Sequence, residues 1–68
     1  MRTDTDTATI ARIEPDDDRI LLYPVQRPSR LGEWYIIASP EKAAEVKVGD
    51  KVIYRPDGVN FGWFVSKA

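Results

Sequence analysis

The chain has 68 residues, ten of them Lys or Arg and eleven Asp or Glu, for a formal net charge of −1, with no His and no Cys. That length holds one small hydrophobic core, closed without a disulfide. The missing residue types exclude the Ser-His-Asp triad, the thiol nucleophile, the imidazole base and the usual cysteine-histidine zinc sites, so a non-enzymatic domain with no cofactor and no metal is expected.

Residues 1–7 place Thr and Asp in alternation after Met1, with no apolar anchor, and are expected to be a disordered tail to a single domain over residues 8–68. The first strand, residues 8–14, has Ala8 and Ile10 on one parity and Ile13 on the other. A bulge near Ala11 and Arg12 would bring them to one face. Pro15 and the run Asp16-Asp17-Asp18 then form a solvated turn. Consecutive carboxylates lack the alternating spacing of a hard-cation loop. The second strand, residues 19–26, is apolar on both parities, and Pro24 within it points to an edge or a bulge.

Residues 27–32 connect to a third strand, Glu33 to Ala38, rich in aromatic and β-branched residues. Ser39-Pro40-Glu41 is a helix start, with Ser as N-cap, Pro in the first helical position and an acid in the first turn. A short helix continues through Glu45 until Val48-Gly49-Asp50 ends it, and residues 51–55 form the fourth strand. Arg55-Pro56-Asp57-Gly58 is a turn with a left-handed residue expected at Gly58, and Val59 to Ser66 is the last strand. Pairing Tyr54 with Val59 would place Val52, Tyr54, Val59, Phe61, Trp63 and Val65 on the core face. Ile53, Gly62 and Phe64 would then lie outside, with Trp34 and Trp63 both in the core.

The order strand, strand, strand, short helix, strand, strand fits a small five-stranded OB-like barrel, an all-β class, with an SH3-like barrel as the alternative. The opening Thr9-Ile10-Ala11-Arg12-Ile13-Glu14-Pro15 and the strand Arg19-Ile20-Leu21-Leu22 are followed by Gly49-Asp50-Lys51-Val52 and Gly62-Trp63-Phe64-Val65. In their spacing these segments resemble the S1-type OB-fold proteins, a group that includes bacterial translation initiation factor one. Gly-Asp-x-Val entering a strand is also shared with co-chaperonin and KOW-type barrels. The resemblance covers most of residues 8–66 and implies an OB fold that binds RNA.

An OB-type surface stacks bases on aromatic rings and follows phosphates with cations. Residues 1–18 carry two cations against six carboxylates, and residues 19–68 eight cations against five, so the body of the chain is mildly basic. The candidate nucleic-acid-binding residues are Tyr23, Tyr35 and Phe64 as stacking platforms and Arg27, Arg30, Lys51 and Arg55 as phosphate contacts. Most of the seven aromatic residues are needed to fill so small a core. Single-stranded nucleic acid is thus one expected partner. A protein partner, met through Phe64, Ile53 and an unpaired strand edge, is the other. No apolar run approaches the roughly 18 residues of a spanning helix, and no charged-then-apolar leader opens the sequence, so no membrane contact and a cytoplasmic location are expected. The oligomeric state is not specified by these features.

Overall fold

Ile10, Leu22, Ile36 and Val52, one from each of four strands, are fully buried. Burial of each such side chain stabilises the fold by about 1.5–3 kcal/mol. The structure, a computed structural model, describes residues 4–26 and 32–68. Its elements are β1 (Asp6–Asp16), β2 (Arg19–Pro24), β3 (Tyr35–Ala38), α1 (Pro40–Ala43), β4 (Lys51–Pro56) and β5 (Phe61–Lys67). The strands close into a barrel in the order β1-β2-β3-β5-β4, with β4 returning to β1. Among the described residues the β3–β5 pair is parallel and the other four are antiparallel. This is the expected five-stranded OB-like barrel, with its one short helix between β3 and β4.

β1 is long enough to serve both neighbours because it bends. Its pairing with β2 shifts register between Ile10 and Arg12, leaving Ala11 as the extra residue of a bulge where the parity break required one. Ile10 is buried as a result, and Ile13 packs against the same core. The bend sends Asp6–Thr9 to β4, with Asp6 opposite Tyr54 and Ala8 opposite Val52. Asp6 and Thr7, expected in the tail, therefore belong to the sheet: backbone pairing holds them although their side chains stay exposed. Pro15, expected to lead a turn, sits within β1 opposite Ile20. The connection is the two residues Asp17 and Asp18, with Asp17 at φ 55°, a left-handed conformation that Asp tolerates better than most residues.

At one end of the barrel Ser39 Oγ accepts from the Lys42 backbone N–H at 3.3 Å, capping α1 as its sequence foretells. The helix is a single turn ending at Ala43, shorter than expected, because Ala43 and then Val46 drop into the core. The following loop is latched to β1: Ile10 donates to the Asp50 carbonyl at 2.9 Å and accepts from Gly49 N–H at 2.7 Å. Gly49 has φ 98°, which suits glycine alone.

The Asp50 side chain closes the same loop, accepting from Lys47 N–H at 2.9 Å and lying 3.2 Å from Lys67 Nζ. The Lys47 amide first, and Lys67 second, hold this carboxyl below its ordinary value. A carboxyl whose pKa is lowered by folding stabilises the fold above its unfolded value, and that contribution is lost as pH falls through the lower folded value. Asp50→Asn is therefore expected to melt below the wild type near neutrality. The gap should narrow below about pH 4, as thermal unfolding across that range will test.

The β4–β5 hairpin departs from expectation. Arg55 and Pro56 extend β4 instead of turning, so Tyr54 lies opposite Phe64, Arg55 opposite Trp63 and Pro56 opposite Gly62. The connection comprises residues 57–60, closed by Asp57 N–H donating to the Phe61 carbonyl at 3.2 Å. Gly58 is not left-handed, and an added Cβ there would meet only the Phe61 ring, at 2.6 Å. The shift exchanges the two faces of β5. Gly62 and Phe64 turn inward, while Phe61, Trp63 and Val65 turn outward. Packing explains the exchange: Trp34 and Tyr54 fill the interior edge-to-face at 5.0 Å, and only a glycine fits beneath them.

Candidate nucleic-acid interface

Each strand with one face in the core presents the alternate residues outside. On β2 these are Tyr23 and Leu21, the latter only 7% exposed, on β3 Tyr35 and Ile37, and on β5 Phe61 and Trp63. Strand register joins them into two parallel rows. One runs from Arg12 to Tyr23, Tyr35 and Phe61, the other from Glu14 through Leu21 and Ile37 to Trp63 and Arg55. The rings of Tyr23 and Tyr35 meet edge-on at 5.9 Å, and those of Phe61 and Trp63 at 5.7 Å. Trp63 is 38% exposed, and its indole N–H donates to Asp57, which fixes the ring against the strand.

Charge surrounds this aromatic surface. The Arg12 guanidinium lies over the Tyr23 ring at 4.1 Å, a cation–π contact. It is held there by Glu14 at 3.7 Å and Glu33 at 3.6 Å. Burial first, and the Glu14 and Glu33 carboxylates after it, push the Tyr23 hydroxyl above the ordinary phenol value. Arg19 is bound through Nε to Asp16 at 2.9 Å. Arg55, beside Trp63, makes no ion pair among the described residues. These pairs are all solvent-exposed and worth little in water, so an arriving phosphate can compete for either arginine.

The expected site residues are partly assembled. Tyr23 and Tyr35 come together, and Arg55 joins them at the Trp63 end. Phe64 does not: it is half-buried and packs against the core, leaving only part of its ring at the surface. Lys51 stands apart at the β1–β4 seam, opposite Thr9, in a depression shared with Asp6, Val25, Gln26 and Tyr54. Arg27 and Arg30 lie outside the described residues. Phe61, Trp63 and Arg12 enter instead, and Trp63 is an outer residue where a core residue was expected. The one clue was Gly62 between two aromatics: a glycine turned inward under Trp34 forces both neighbours out.

The edge expected to accept a partner strand is occupied, because β1 and β4 pair with each other and close the barrel. Ile53 lies within that closure, opposite Thr7 and Ser66, and is half-buried. No helix among the described residues is long and apolar enough to cross a membrane. Comparisons of the chain with protein-family models, with curated proteins and with solved structures found no match.

Proposed function

We propose that the protein is a non-enzymatic cytoplasmic domain that binds single-stranded RNA or DNA, in the manner of S1-type OB barrels, on the outer face of β2, β3 and β5. The observation that carries this reading is the set of four aromatic side chains, Tyr23, Tyr35, Phe61 and Trp63, collected on one outer face with cations at both ends. Successive bases stack on such rings whatever their identity, and Arg12 and Arg55 are placed to follow the backbone. The acidic turn at Asp17 and Asp18 borders one end of the face and repels phosphate there, which favours a short footprint over an extended track.

The test is an amide-shift titration with a short mixed-sequence oligonucleotide at two salt concentrations. Shifts are expected at Tyr23, Tyr35, Phe61 and the Trp63 indole N–H, with log affinity falling against log salt by about 0.7 for each phosphate contacted. No shift at millimolar oligonucleotide and low salt would overturn the reading and leave a protein partner as the occupant of this face.

A further inference from the structure

One face of the Tyr23 ring is already taken, since the Arg12 guanidinium lies over it at 4.1 Å from the ring centroid. The two residues are register partners across β1 and β2, so the contact is built into the sheet. The Arg12 side chain is nevertheless 54% exposed. A guanidinium that covers a ring with one face has its other face left for a second planar group. Its edge is less free. Glu14 Oε2 stands 3.7 Å from Nη1 and Glu33 Oε2 3.6 Å from Nη2. A phosphate reaches that edge only by displacing a carboxylate, whereas a base can use the face with both in place. The two carboxylates are not equivalent. Glu14 also accepts from the Tyr23 hydroxyl through Oε1, at 3.5 Å, which ties it to the sheet. Glu33, two residues before β3, is 70% exposed, and its Oε1 has no partner among the described residues. Its 3.6 Å separation from Nη2 is longer than a hydrogen bond, so both oxygens remain usable.

We infer that Arg12 is the stacking plate at this end of the aromatic surface and that Glu33 reads the base lying on it, selecting guanine. The inference rests on the single-strand reading above and adds a sequence preference to it. Two carboxylates against one guanidinium leave the cluster with a net negative charge, and such a site favours a base that turns hydrogen-bond donors toward it. An ionised carboxylate is an acceptor only. Guanine alone among the common bases sets two donors side by side on its Watson–Crick edge, N1–H and the N2 amino group, one for each carboxylate oxygen. Cytosine and adenine bring an amino donor next to a ring nitrogen that is itself an acceptor. Uracil and thymine are disfavoured most, because their one donor, N3–H, lies between two carbonyl oxygens that would face the carboxylate.

The experiment titrates the full chain, at one low salt concentration, with short thymidine oligonucleotides whose central base is guanine, hypoxanthine or thymine, followed by amide shifts. The guanine oligonucleotide is expected to bind about tenfold more tightly than the all-thymine one, within the range of one bidentate base contact, with shifts at Arg12, Tyr23 and Glu33. Hypoxanthine keeps N1–H but lacks the amino group, and should fall between the two. Glu33→Gln replaces one acceptor by a donor and should cut the guanine preference to about twofold. The ratio is the readout, since removing a negative charge raises affinity for every sequence alike. Arg12→Lys keeps the charge without the plane and should weaken binding of the guanine oligonucleotide by about fivefold or more. Both side chains are exposed and their ion pairs contribute little to folding, so both variants fold. Equal binding of the three oligonucleotides would overturn the selection of guanine. An unchanged ratio in Glu33→Gln would overturn Glu33 as its source, and unchanged affinity in Arg12→Lys would overturn the plate. The parent reading fails separately. Binding of all three with shifts at Phe61 and Trp63 but none at Arg12, Tyr23 and Glu33 would remove this inference alone, whereas no binding of any would remove the single-strand reading with it.

Discussion

Gly62→Val is expected to destabilise the protein by about 1–3 kcal/mol and to lower its melting temperature by at least about 5 °C. A Cβ at this position would lie 3.0 Å from the Arg55 carbonyl oxygen and 3.0 Å from Tyr54 Cδ2, with Trp34 Cη2 at 3.3 Å. None of the three can retreat cheaply. The carbonyl belongs to the β4–β5 ladder, and the two rings are packed against each other in the core. Valine adds two further methyl groups in the same space. Gly58→Val is the control: its Cβ meets only the Phe61 side chain, at the end of an exposed loop, and that ring can swing aside. Chemical unfolding of both variants, followed by tryptophan fluorescence, checks the comparison. Equal losses would mean that β5 does not turn Gly62 inward.

Trp63→Ala is expected to weaken oligonucleotide binding by about 1–3 kcal/mol, the range for loss of one stacking ring, with little change in stability. The indole is more than a third exposed, and its hydrogen bond to Asp57 is a surface contact. Phe64→Ala should do the reverse. That ring packs against the core, so its loss leaves a partial cavity costing about 2–4 kcal/mol of stability, while the affinity of the remaining folded protein changes less. Measuring melting temperature and oligonucleotide affinity on both variants separates the two roles. Loss of affinity with unchanged stability in Phe64→Ala, and not in Trp63→Ala, would return β5 to the opposite register.

The two neighbours on β5 show where sequence reasoning reaches its limit. Features set by adjacent residues were legible: Ser39-Pro40-Glu41 starts α1, and the parity break between Ile10 and Ile13 locates the bulge at Ala11. The order of elements along the chain, with the short helix between the third and fourth strands, was legible as well. The register of β5 did not, because it depends on where β4 ends. Pro56 has the local chemistry of a turn, yet it stays in the strand opposite Gly62. What decides this is the volume of Trp34 and Tyr54, which must share one interior and leave no room there for Phe61 or Trp63. Half of the candidate surface suffered accordingly. Tyr23 and Tyr35 were named as rings on the second and third strands without any register, since β2 is apolar on both parities, whereas Phe61 and Trp63 were exchanged for Phe64 by a five-residue, and therefore odd, shift of the β4–β5 pairing.

The double service of β1 has a kinetic consequence. Its half beyond the bulge pairs with β2 across a two-residue turn, but its first half must find β4, so that Asp6 meets Tyr54 from nearly the other end of the chain. Closing so long a loop costs entropy before any ladder bond repays it, so the β1–β4 seam is expected to form late in folding. The bonds from Ile10 to Gly49 and Asp50 act as its latch. In the ring of strands, β3 stands farthest from that seam, flanked by β2 and β5. Opening of that seam is then expected to leave β2, β3 and β5 paired on the opposite wall, as amide exchange would test.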